Sequence, residues 1–343
     1  MESRSAIGRD RPLGVIVIGT GFVADMHIGA LRARADAELV GVVDVAAGRA
    51  AAAGRANGGI RATTDLAEAL RWDGVDACIV CTPNATHKDI ALPIAAAGKH
   101  LLIEKPLATT VPDAQAMAAA FEASGTVLMA AHTHRFYDYG RAVKRQLDGG
   151  AIGRPSLARL SIVGDWIWPD WRAWMLDPQA SGGHSLHNGV HLLDLTTWWL
   201  DSEPVSIHGR GRKQAAAELE IYDYLELVVH YRNGATAICE MSRGHRTGSM
   251  NYRDVLIAGS DGILTLPWDA EAGLLITPAN SSLVPAAASD GFAVQLDAWL
   301  SAVAGAPPQM TPADAVRAVA MGVAAEQSIA TGEPVDLTEV VPV

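Results

Sequence analysis

The first third of the chain alternates short apolar segments with alanine-rich helical segments, and this alternation constrains the fold more than any other feature. The apolar segments are rich in Val, Ile and Leu, as strands covered on both faces are. Strands are predicted over 13–18, 38–44, 77–81, 100–104 and 127–131, with helices over 22–34, 46–55, 85–97 and 111–123. Because strand and helix at this spacing form right-handed crossovers, we predict an α/β fold with a doubly wound parallel sheet of the Rossmann type.

The pattern changes after about residue 154, where the predicted strands become longer. They span 155–163, 204–211, 219–231, 235–242 and 252–258, with helices over 185–200, 294–304 and 312–330. Turn pairs such as Asn233-Gly234 separate the strands, which is typical of hairpins in a mostly antiparallel sheet. We therefore predict a nucleotide-binding domain over 1–132 and an α+β domain over 133–343, with the helix near 312–330 returning toward the first domain.

Length and charge limit the classes of partner. A chain of 343 residues suits two domains of common size. Its net charge is −11, and the basic residues form no cluster that would neutralise phosphates along a groove, which disfavours nucleic acid. The first residues lack an apolar signal segment, and no later apolar run reaches the roughly 18 residues needed to span a bilayer. We expect a cytoplasmic protein, away from membranes, that binds a small molecule.

Two patterns could suggest a metal. Cys78 and Cys81 form a C-x-x-C, but residues three apart on a strand point to opposite faces, so packed, reduced thiols are favoured over a redox or zinc site. His187 and His191 share a helix face, with His184 as the obvious third ligand, yet no Glu follows in H-E-x-x-H fashion. No metal is predicted.

A glycine-rich turn follows the first predicted strand and has the form G-x-G-x-x-A. Gly19 would permit the tight turn, Gly21 would let the backbone approach a pyrophosphate, and the small Ala24 would allow close packing of helix on strand. The helix N-terminus would offer N–H groups to the phosphates. The residues of this turn predicted to bind the cofactor are Gly19, Thr20, Gly21, Phe22 and Val23.

Asp44 ends the second predicted strand, where an acidic side chain can accept hydrogen bonds from a ribose diol. A 2′-phosphate would meet like charge there, so NAD is preferred over NADP, although Arg49 and Arg55 leave dual use open. The alternative is that Asp44 only caps the following helix.

Three further segments carry a family resemblance. They read C-T-P-N-A-T-H at 81–87, L-I-E-K-P-L at 102–107 and G-G-H-S-L-H-N-G-V-H-L-L-D at 182–194. Together they resemble the glucose-fructose oxidoreductase / inositol dehydrogenase / MocA family, marked by T-P-N-x-x-H, E-K-P and G-G-x-x-x-D-x-G-x-H-x-x-D. The resemblance covers nearly the whole chain. It implies hydride transfer between a nicotinamide cofactor and a secondary alcohol or ketone of a sugar, inositol or related polyol.

The resemblance assigns the E-K-P lysine, here Lys105, to the nicotinamide and the reacting hydroxyl. The position is physically sensible because doubly wound sheets bind ligands beyond the carboxyl ends of their strands. As an ammonium, Lys105 would stabilise alkoxide character; the alternative is an ordinary surface lysine at a strand end. The residues expected to line the nicotinamide half with it are Thr82, Pro83, Asn84, His87 and Glu104.

His191 is the residue implied to carry the hydroxyl proton, since imidazole titrates near neutral pH. Its spacing to Gly189 and Asp194 matches the family motif, whereas a lone helical histidine is more often structural. His187 stands where the family usually has Asp, four residues before the catalytic histidine. This departure leaves the proton path and the substrate open, and His187 is kept as a third catalytic candidate.

Substrate binding is assigned to aromatic and hydrogen-bonding side chains. Four Trp residues lie at 166, 168, 171 and 174, and flat indole faces suit the C–H faces of sugar rings. Packing in a core or between subunits is the alternative for any one of them. The predicted substrate-binding residues are Arg135, Trp171, Trp174 and Asn188. We also expect a homodimer or homotetramer, with an exposed face of the second sheet as the contact surface.

Two other functions fit the same residues. In the first, bound NAD oxidises a sugar transiently, a glycosidic bond is eliminated, and the hydride returns, so bond cleavage without accumulated NADH would distinguish it. In the second, the chain is a non-catalytic nucleotide-binding sensor, which retention of Lys105 and His191 disfavours.

Overall fold

The computed structural model describes residues 11–164, 173–215, 217–245, 252–267, 272–285 and 290–338. The chain divides into two compact units. The first comprises Met1–Thr133 and Asp290–Val316, and the second comprises His134–Ser289 and Arg317–Val343. The predicted boundary after residue 132 is close to the first division, but 290–316 lies in the first unit rather than in the second domain, where the sequence analysis placed it.

The first unit begins with alternating strands and helices. In chain order these are β1 (Leu13–Ile18), α1 (Phe22–Arg32), β2 (Ala37–Val43), α2 (Ala47–Ala56), β3 (Arg61–Thr63), α3 (Leu66–Leu70), β4 (Ala77–Val80), α4 (His87–Ala96), β5 (His100–Glu104), α5 (Val111–Ser124) and β6 (Leu128–Ala131). Within the described residues the strands form one six-stranded sheet in the order β3-β2-β1-β4-β5-β6, and every pairing is parallel. The predicted Rossmann-type sheet is confirmed.

The second unit begins with α6 (Asp138–Asp148), β7 (Pro155–Val163), α7 (Pro178–Ser181), α8 (Val190–Leu200), β8 (Pro204–Arg212), β9 (Tyr224–Tyr231), β10 (Thr236–Ser242), β11 (Tyr252–Gly259), β12 (Ile263–Pro267), β13 (Ala272–Ile276) and β14 (Ser281–Pro285). The chain then forms α9 (Gly291–Val303), α10 (Pro312–Thr331) and β15 (Val335–Asp336). In the described part, nine strands pair in the order β14-β13-β12-β11-β7-β10-β9-β8-β15. Among the described strands of this sheet, β7 and β10 are the only parallel pair, so the mostly antiparallel sheet is confirmed.

Helix α9 belongs to the first unit because it packs on α1. Arg34, just after α1, pairs with Asp297 at 2.8 Å, and the His27 ring meets the Phe292 ring edge-on at 5.1 Å. The division between the units then falls inside α10, between Val316 and Arg317.

The core of the second unit lies between the inner face of the large sheet and α6, α8 and α10. Trp199 of α8 is 1% exposed, and its Nε1 donates to the Gly140 carbonyl of α6 at 3.0 Å. Truncating a buried aromatic residue of this size costs about 3–5 kcal/mol of folding free energy. Helix α8, which carries His191, is therefore held rigidly within its unit.

Two predicted elements differ in detail. The strand predicted over 219–231 begins at Tyr224, because Leu219 and Ile221 pack with Leu176 in a separate small cluster. The helix predicted over 185–200 begins with a π-helical turn, Ser185–Gly189, before the regular helix α8.

Candidate active site

The glycine turn adopts the backbone that a dinucleotide loop requires. Gly19 has φ +83°, and a Cβ there would lie 2.7 Å from the carbonyl oxygen of Cys81, so only glycine fits. At Gly21, by contrast, a Cβ would meet no atom of the described residues within 4 Å. Gly21 is the N-cap residue of α1, and no side chain there accepts a hydrogen bond from the helix. The first N–H groups of α1 can therefore donate to an anion. Ala24 is buried, as predicted from its small size.

Asp44 is 5% exposed and accepts several hydrogen bonds. Its carboxylate accepts from the Thr20 hydroxyl at 2.8 Å, the Thr20 N–H at 3.0 Å, the Ala46 N–H at 2.9 Å and Arg49 Nη2 at 2.8 Å. Burial raises the pKa of Asp44, but these donors outweigh burial and hold the pKa well below its usual range. The carboxylate is therefore ionised at neutral pH and lies beside the glycine turn.

His87 connects the loops that follow β4 and β5. Its ring is fully buried, with Nδ1 2.8 Å from the Pro106 carbonyl oxygen and Nε2 3.0 Å from the Thr82 carbonyl oxygen. Burial lowers the pKa of His87, so the ring is neutral at neutral pH. A neutral imidazole has one N–H, so His87 donates a hydrogen bond to one of these carbonyl oxygens and contacts the other. Asn84 is buried nearby, whereas Thr82 and Pro83 are partly exposed.

Lys105 follows β5 directly and is partly exposed. The preceding Glu104 is buried, with Oε1 2.8 Å from His27 Nε2, while its Oε2 accepts from the Lys105 N–H at 3.3 Å. Burial raises the pKa of Glu104, but the hydrogen bond with His27 and the positive charge of Lys105 lower it overall. The Glu104 carboxylate thus holds the backbone that presents Lys105.

In the second unit, Arg135 and Asp194 form a buried bidentate pair. Arg135 Nη2 lies 2.6 Å from Asp194 Oδ1, and Arg135 Nε lies 2.7 Å from Asp194 Oδ2. The guanidinium also lies over the Trp198 ring, 5.5 Å from its centroid. Arg135, predicted to bind substrate, is therefore engaged with the aspartate three residues after His191.

His191 lies at the start of α8, against a second histidine. The His134 and His191 ring centroids are 4.2 Å apart with the planes tilted by 44°. His134 Nδ1 also forms a hydrogen bond with the Tyr139 hydroxyl. The sequence analysis singled out neither His134 nor His27. Both lie next to motif residues in the sequence, and this was the only signal that could have indicated them.

The π-helical turn before α8 places His187 and Asn188 on a narrow cavity that has no room for a water molecule. His184 and Arg243 complete its polar lining, and Met175, Leu176 and Ile221 its apolar lining. The Trp174 ring meets the His187 ring edge-on at 5.2 Å. Three predicted residues, Trp174, His187 and Asn188, therefore lie together, whereas Trp171 lies outside the described residues.

The cysteines are free and buried, and burial raises the pKa of the Cys78 thiol well above its usual range and that of Cys239 to about 12. Over the part of the chain that the structure describes, no three His, Cys, Asp or Glu residues are arranged to hold a metal ion. The same residues contain no helix with the length and apolar character needed to cross a membrane.

These features define an NAD-binding oxidoreductase of the Rossmann class. Residues 13–132 match the family model described as an oxidoreductase family with an NAD-binding Rossmann fold, and residues 141–265 match the GFO/IDH/MocA C-terminal domain. The chain belongs to the GFO/IDH/MocA family of oxidoreductases, which confirms the resemblance drawn from its motifs.

Individual relatives act on sugars and inositols. The chain is 30% identical over 336 residues to a 1,5-anhydro-D-fructose reductase of Ensifer adhaerens, covering 94% of this chain and 97% of that protein. It is 26% identical to a scyllo-inositol 2-dehydrogenase (NAD(+)) of Bacillus subtilis, covering 88% and 89%. The crystal structure of GenD2 from gentamicin A biosynthesis in complex with NAD is 28% identical, with a TM-score of 0.84 and coverage of 95% and 96%.

Proposed function

We propose that this protein reversibly oxidises a secondary alcohol of a sugar, inositol or related polyol, with NAD as the hydride acceptor. The observation that carries the proposal is the E-K-P segment, whose Lys105 backbone is held by the buried Glu104–His27 pair in an NAD-binding Rossmann domain. The names of the relatives support the substrate class. When bound, NAD supplies the hydride chemistry, and the residues supply orientation and charge.

The proposed cofactor contacts are those of the glycine turn and Asp44. The open space at Gly21 and the α1 N–H groups suit a pyrophosphate, and the ionised Asp44 suits the ribose hydroxyls. NAD is proposed over NADP because Asp44 would repel a 2′-phosphate. Arg49 already pairs with Asp44, and its side chain is 62% exposed. Its positive charge would therefore offset only part of the repulsion between Asp44 and such a phosphate. The ratio of kcat/KM with NAD to that with NADP measures this preference.

Lys105 and His191 are proposed as the catalytic residues. The Lys105 ammonium would stabilise negative charge that develops on the hydroxyl oxygen as the carbon loses hydride. His191 would accept the hydroxyl proton and return it in the reverse reaction. His87 and Glu104 are proposed to position the nicotinamide half of the site through the backbone they hold, rather than to exchange protons.

The test is a panel of sugars, inositols and sugar acids, each incubated with NAD and with NADP while the absorbance of the reduced nicotinamide is followed. Substrate-dependent NADH formation is expected for at least one polyol. Glycosidic cleavage without accumulated NADH, or nucleotide binding with no turnover on any compound, would replace the proposal with one of the two alternative functions.

We also propose a homo-oligomer in the cytoplasm, formed through the outer face of the nine-stranded sheet. That face exposes large apolar side chains on the adjacent strands β12, β13 and β14, and one on β10, which β11 and β7 separate from β12. Exposed apolar patches mark interaction surfaces. These are Ile238, Ile263, Leu274, Ile276 and Leu283. Light scattering on wild type and on Leu283→Glu tests the assembly, with a dimer or tetramer expected for wild type and a smaller species for the variant.

A further inference from the structure

Four aromatic rings of the second unit lie together beside the start of α8. His191 lies in the first turn of that helix, and Tyr137 and Tyr139 lie at the start of α6. The His134 ring centroid is 4.2 Å from that of His191. It is 5.7 Å from that of Tyr137 and 6.1 Å from that of Tyr139, and both of these contacts are edge-on. His134 therefore contacts each of the other three rings.

The Tyr139 hydroxyl fixes the His134 ring. His134 Nδ1 forms a hydrogen bond with that hydroxyl, and Tyr139 is 7% exposed on α6. The hydrogen bond made by one imidazole nitrogen sets the orientation of the ring and determines which nitrogen carries the proton. Because α6 packs against α8, Tyr139 is itself held relative to the helix that carries His191. The contacts thus run in series from Tyr139 through His134 to His191.

A buried ion pair ties the His134 segment to α8. Arg135 follows His134 directly, and its guanidinium makes the bidentate pair with Asp194. Bidentate pairs of arginine and carboxylate fix geometry in addition to contributing energy. The two backbones are therefore held beside each other by Arg135 and Asp194, which keeps the His134 and His191 rings within contact.

The orientation of the His191 ring depends on its neighbours. Rotation about χ2 of a histidine side chain is broad, so the surrounding groups decide where the two ring nitrogens point. A residue that accepts a proton has to lie within hydrogen-bond reach of the hydroxyl, at about 2.6–3.2 Å. A ring that contacts His191 is therefore in a position to control whether its nitrogen reaches the substrate.

We propose that His134 is a positioning residue for His191, and that the Tyr139 hydroxyl acts through His134. The inference rests on the proposed function, since it takes His191 as the residue that accepts the hydroxyl proton. In this role His134 orients the proton acceptor and does not replace it.

The test removes the Tyr139 hydroxyl and keeps the ring. Tyr139→Phe is assayed on a polyol found in the substrate panel, with saturating NAD. The control is Tyr231→Phe, which removes a buried hydroxyl that is hydrogen-bonded to Thr196 and Thr197 of α8. Because a small displacement of a catalytic group costs up to about 100-fold, we expect Tyr139→Phe to lower kcat about 10- to 100-fold while KM and NAD binding stay within about threefold. Tyr231→Phe loses a comparable hydrogen bond but should keep kcat within about threefold.

A background without the His191 ring separates positioning from general packing. In His191→Ala, the further change Tyr139→Phe should alter the residual rate by less than about twofold, because no ring remains to be positioned. His134→Gln is the second variant. It should lower kcat as Tyr139→Phe does, and it decides the matter if Tyr139→Phe fails to fold. An unchanged kcat in Tyr139→Phe, an equal loss in Tyr231→Phe, or the same factor lost in the His191→Ala background would overturn the inference while leaving the proposed function intact.

NMR of the imidazole nitrogens distinguishes the two proposals without turnover. The nitrogen shifts report which ring nitrogen is protonated, and we expect Tyr139→Phe to change the signals of both His134 and His191. A changed His191 signal in a protein that oxidises no polyol would refute the oxidation and support the series of ring contacts. An unchanged His191 signal would refute the positioning of His191, whatever the turnover.

Discussion

His27 Nε2 lies 2.8 Å from Glu104 Oε1, and both side chains are buried in the first unit. The pair joins α1, whose N-terminus follows the glycine turn, to the end of β5, where Lys105 begins. One residue pair thus fixes the helix proposed to face the pyrophosphate relative to the lysine proposed to face the hydroxyl.

Breaking this pair should affect both stability and catalysis. His27→Ala leaves a buried carboxylate without that partner, and we expect the free energy of unfolding to fall by about 1–3 kcal/mol. We also expect kcat to fall, because the Lys105 backbone loses its fixed neighbour. Urea denaturation and steady-state kinetics measure the two effects. The control is Lys88→Ala, which removes a partly exposed ion pair with Asp113. Equal effects of the two variants would refute the special role of the pair.

Asp44 should control cofactor choice. Asp44→Asn removes charge-assisted hydrogen bonding to the ribose, so KM for NAD should rise about 10- to 100-fold, while KM for NADP should rise less or fall. Asp73→Asn, an exposed substitution in the same unit, serves as the control. A ratio of NAD to NADP use that does not change in Asp44→Asn would contradict the assignment.

Asp44 should also shape the dependence of stability on pH. Its folded-state pKa is lowered, so ionised Asp44 contributes stability above its unfolded pKa of about 3.9. That contribution is lost as pH falls from about 4 through the lower folded pKa. Thermal unfolding midpoints measured from neutral to acidic pH should therefore fall less steeply below about pH 4 in Asp44→Asn than in wild type. Parallel curves would show that the carboxylate is not linked to folding in this way.

Removing one partner of the buried Arg135–Asp194 pair should lower the free energy of unfolding strongly. Arg135→Met removes the bidentate partner of the buried Asp194, and we expect a loss of about 3–5 kcal/mol in the free energy of unfolding. Arg212→Met, which breaks an exposed pair with Glu226, should cost at most about 1 kcal/mol. The double variant Arg135→Met with Asp194→Leu should recover part of the loss. Chemical denaturation measures the free energy of unfolding of each variant. A small loss for Arg135→Met alone would contradict the expectation.

Much of the fold could be predicted because its signals are local. Strands β1 and β5 begin and end at the predicted residues, since continuous apolar runs of strand length identify buried parallel strands. Helix α6 was missed although Tyr139, Val143 and Leu147 recur at helical spacing and are buried. Strands β13 and β14 were missed although Pro278 and Asn280 lie in the turn between them. The local pattern around Leu219 predicts a strand, but Leu219 and Ile221 pack with Leu176 in a separate cluster.

The site was only partly predictable, because its contacts join residues far apart in sequence. Gly19, Asp44 and Lys105 lie in recognisable patterns. His27 and Glu104 are separated by 77 positions, and Arg135 and Asp194 by 59. Neither pair therefore produces a local sequence pattern. The cavity residue Arg243 comes from a third region and was not singled out for the same reason.

The most direct test of the central claim is the kcat of Lys105→Ala on a substrate found in the polyol panel, measured with the dissociation constant for NAD. Because a donor aimed at developing negative charge typically contributes about 100- to 1,000-fold, we expect kcat to fall by that factor while NAD binding stays within about threefold. The variant should keep the melting temperature of wild type. Turnover near the wild-type rate in Lys105→Ala would contradict hydride transfer assisted by this lysine.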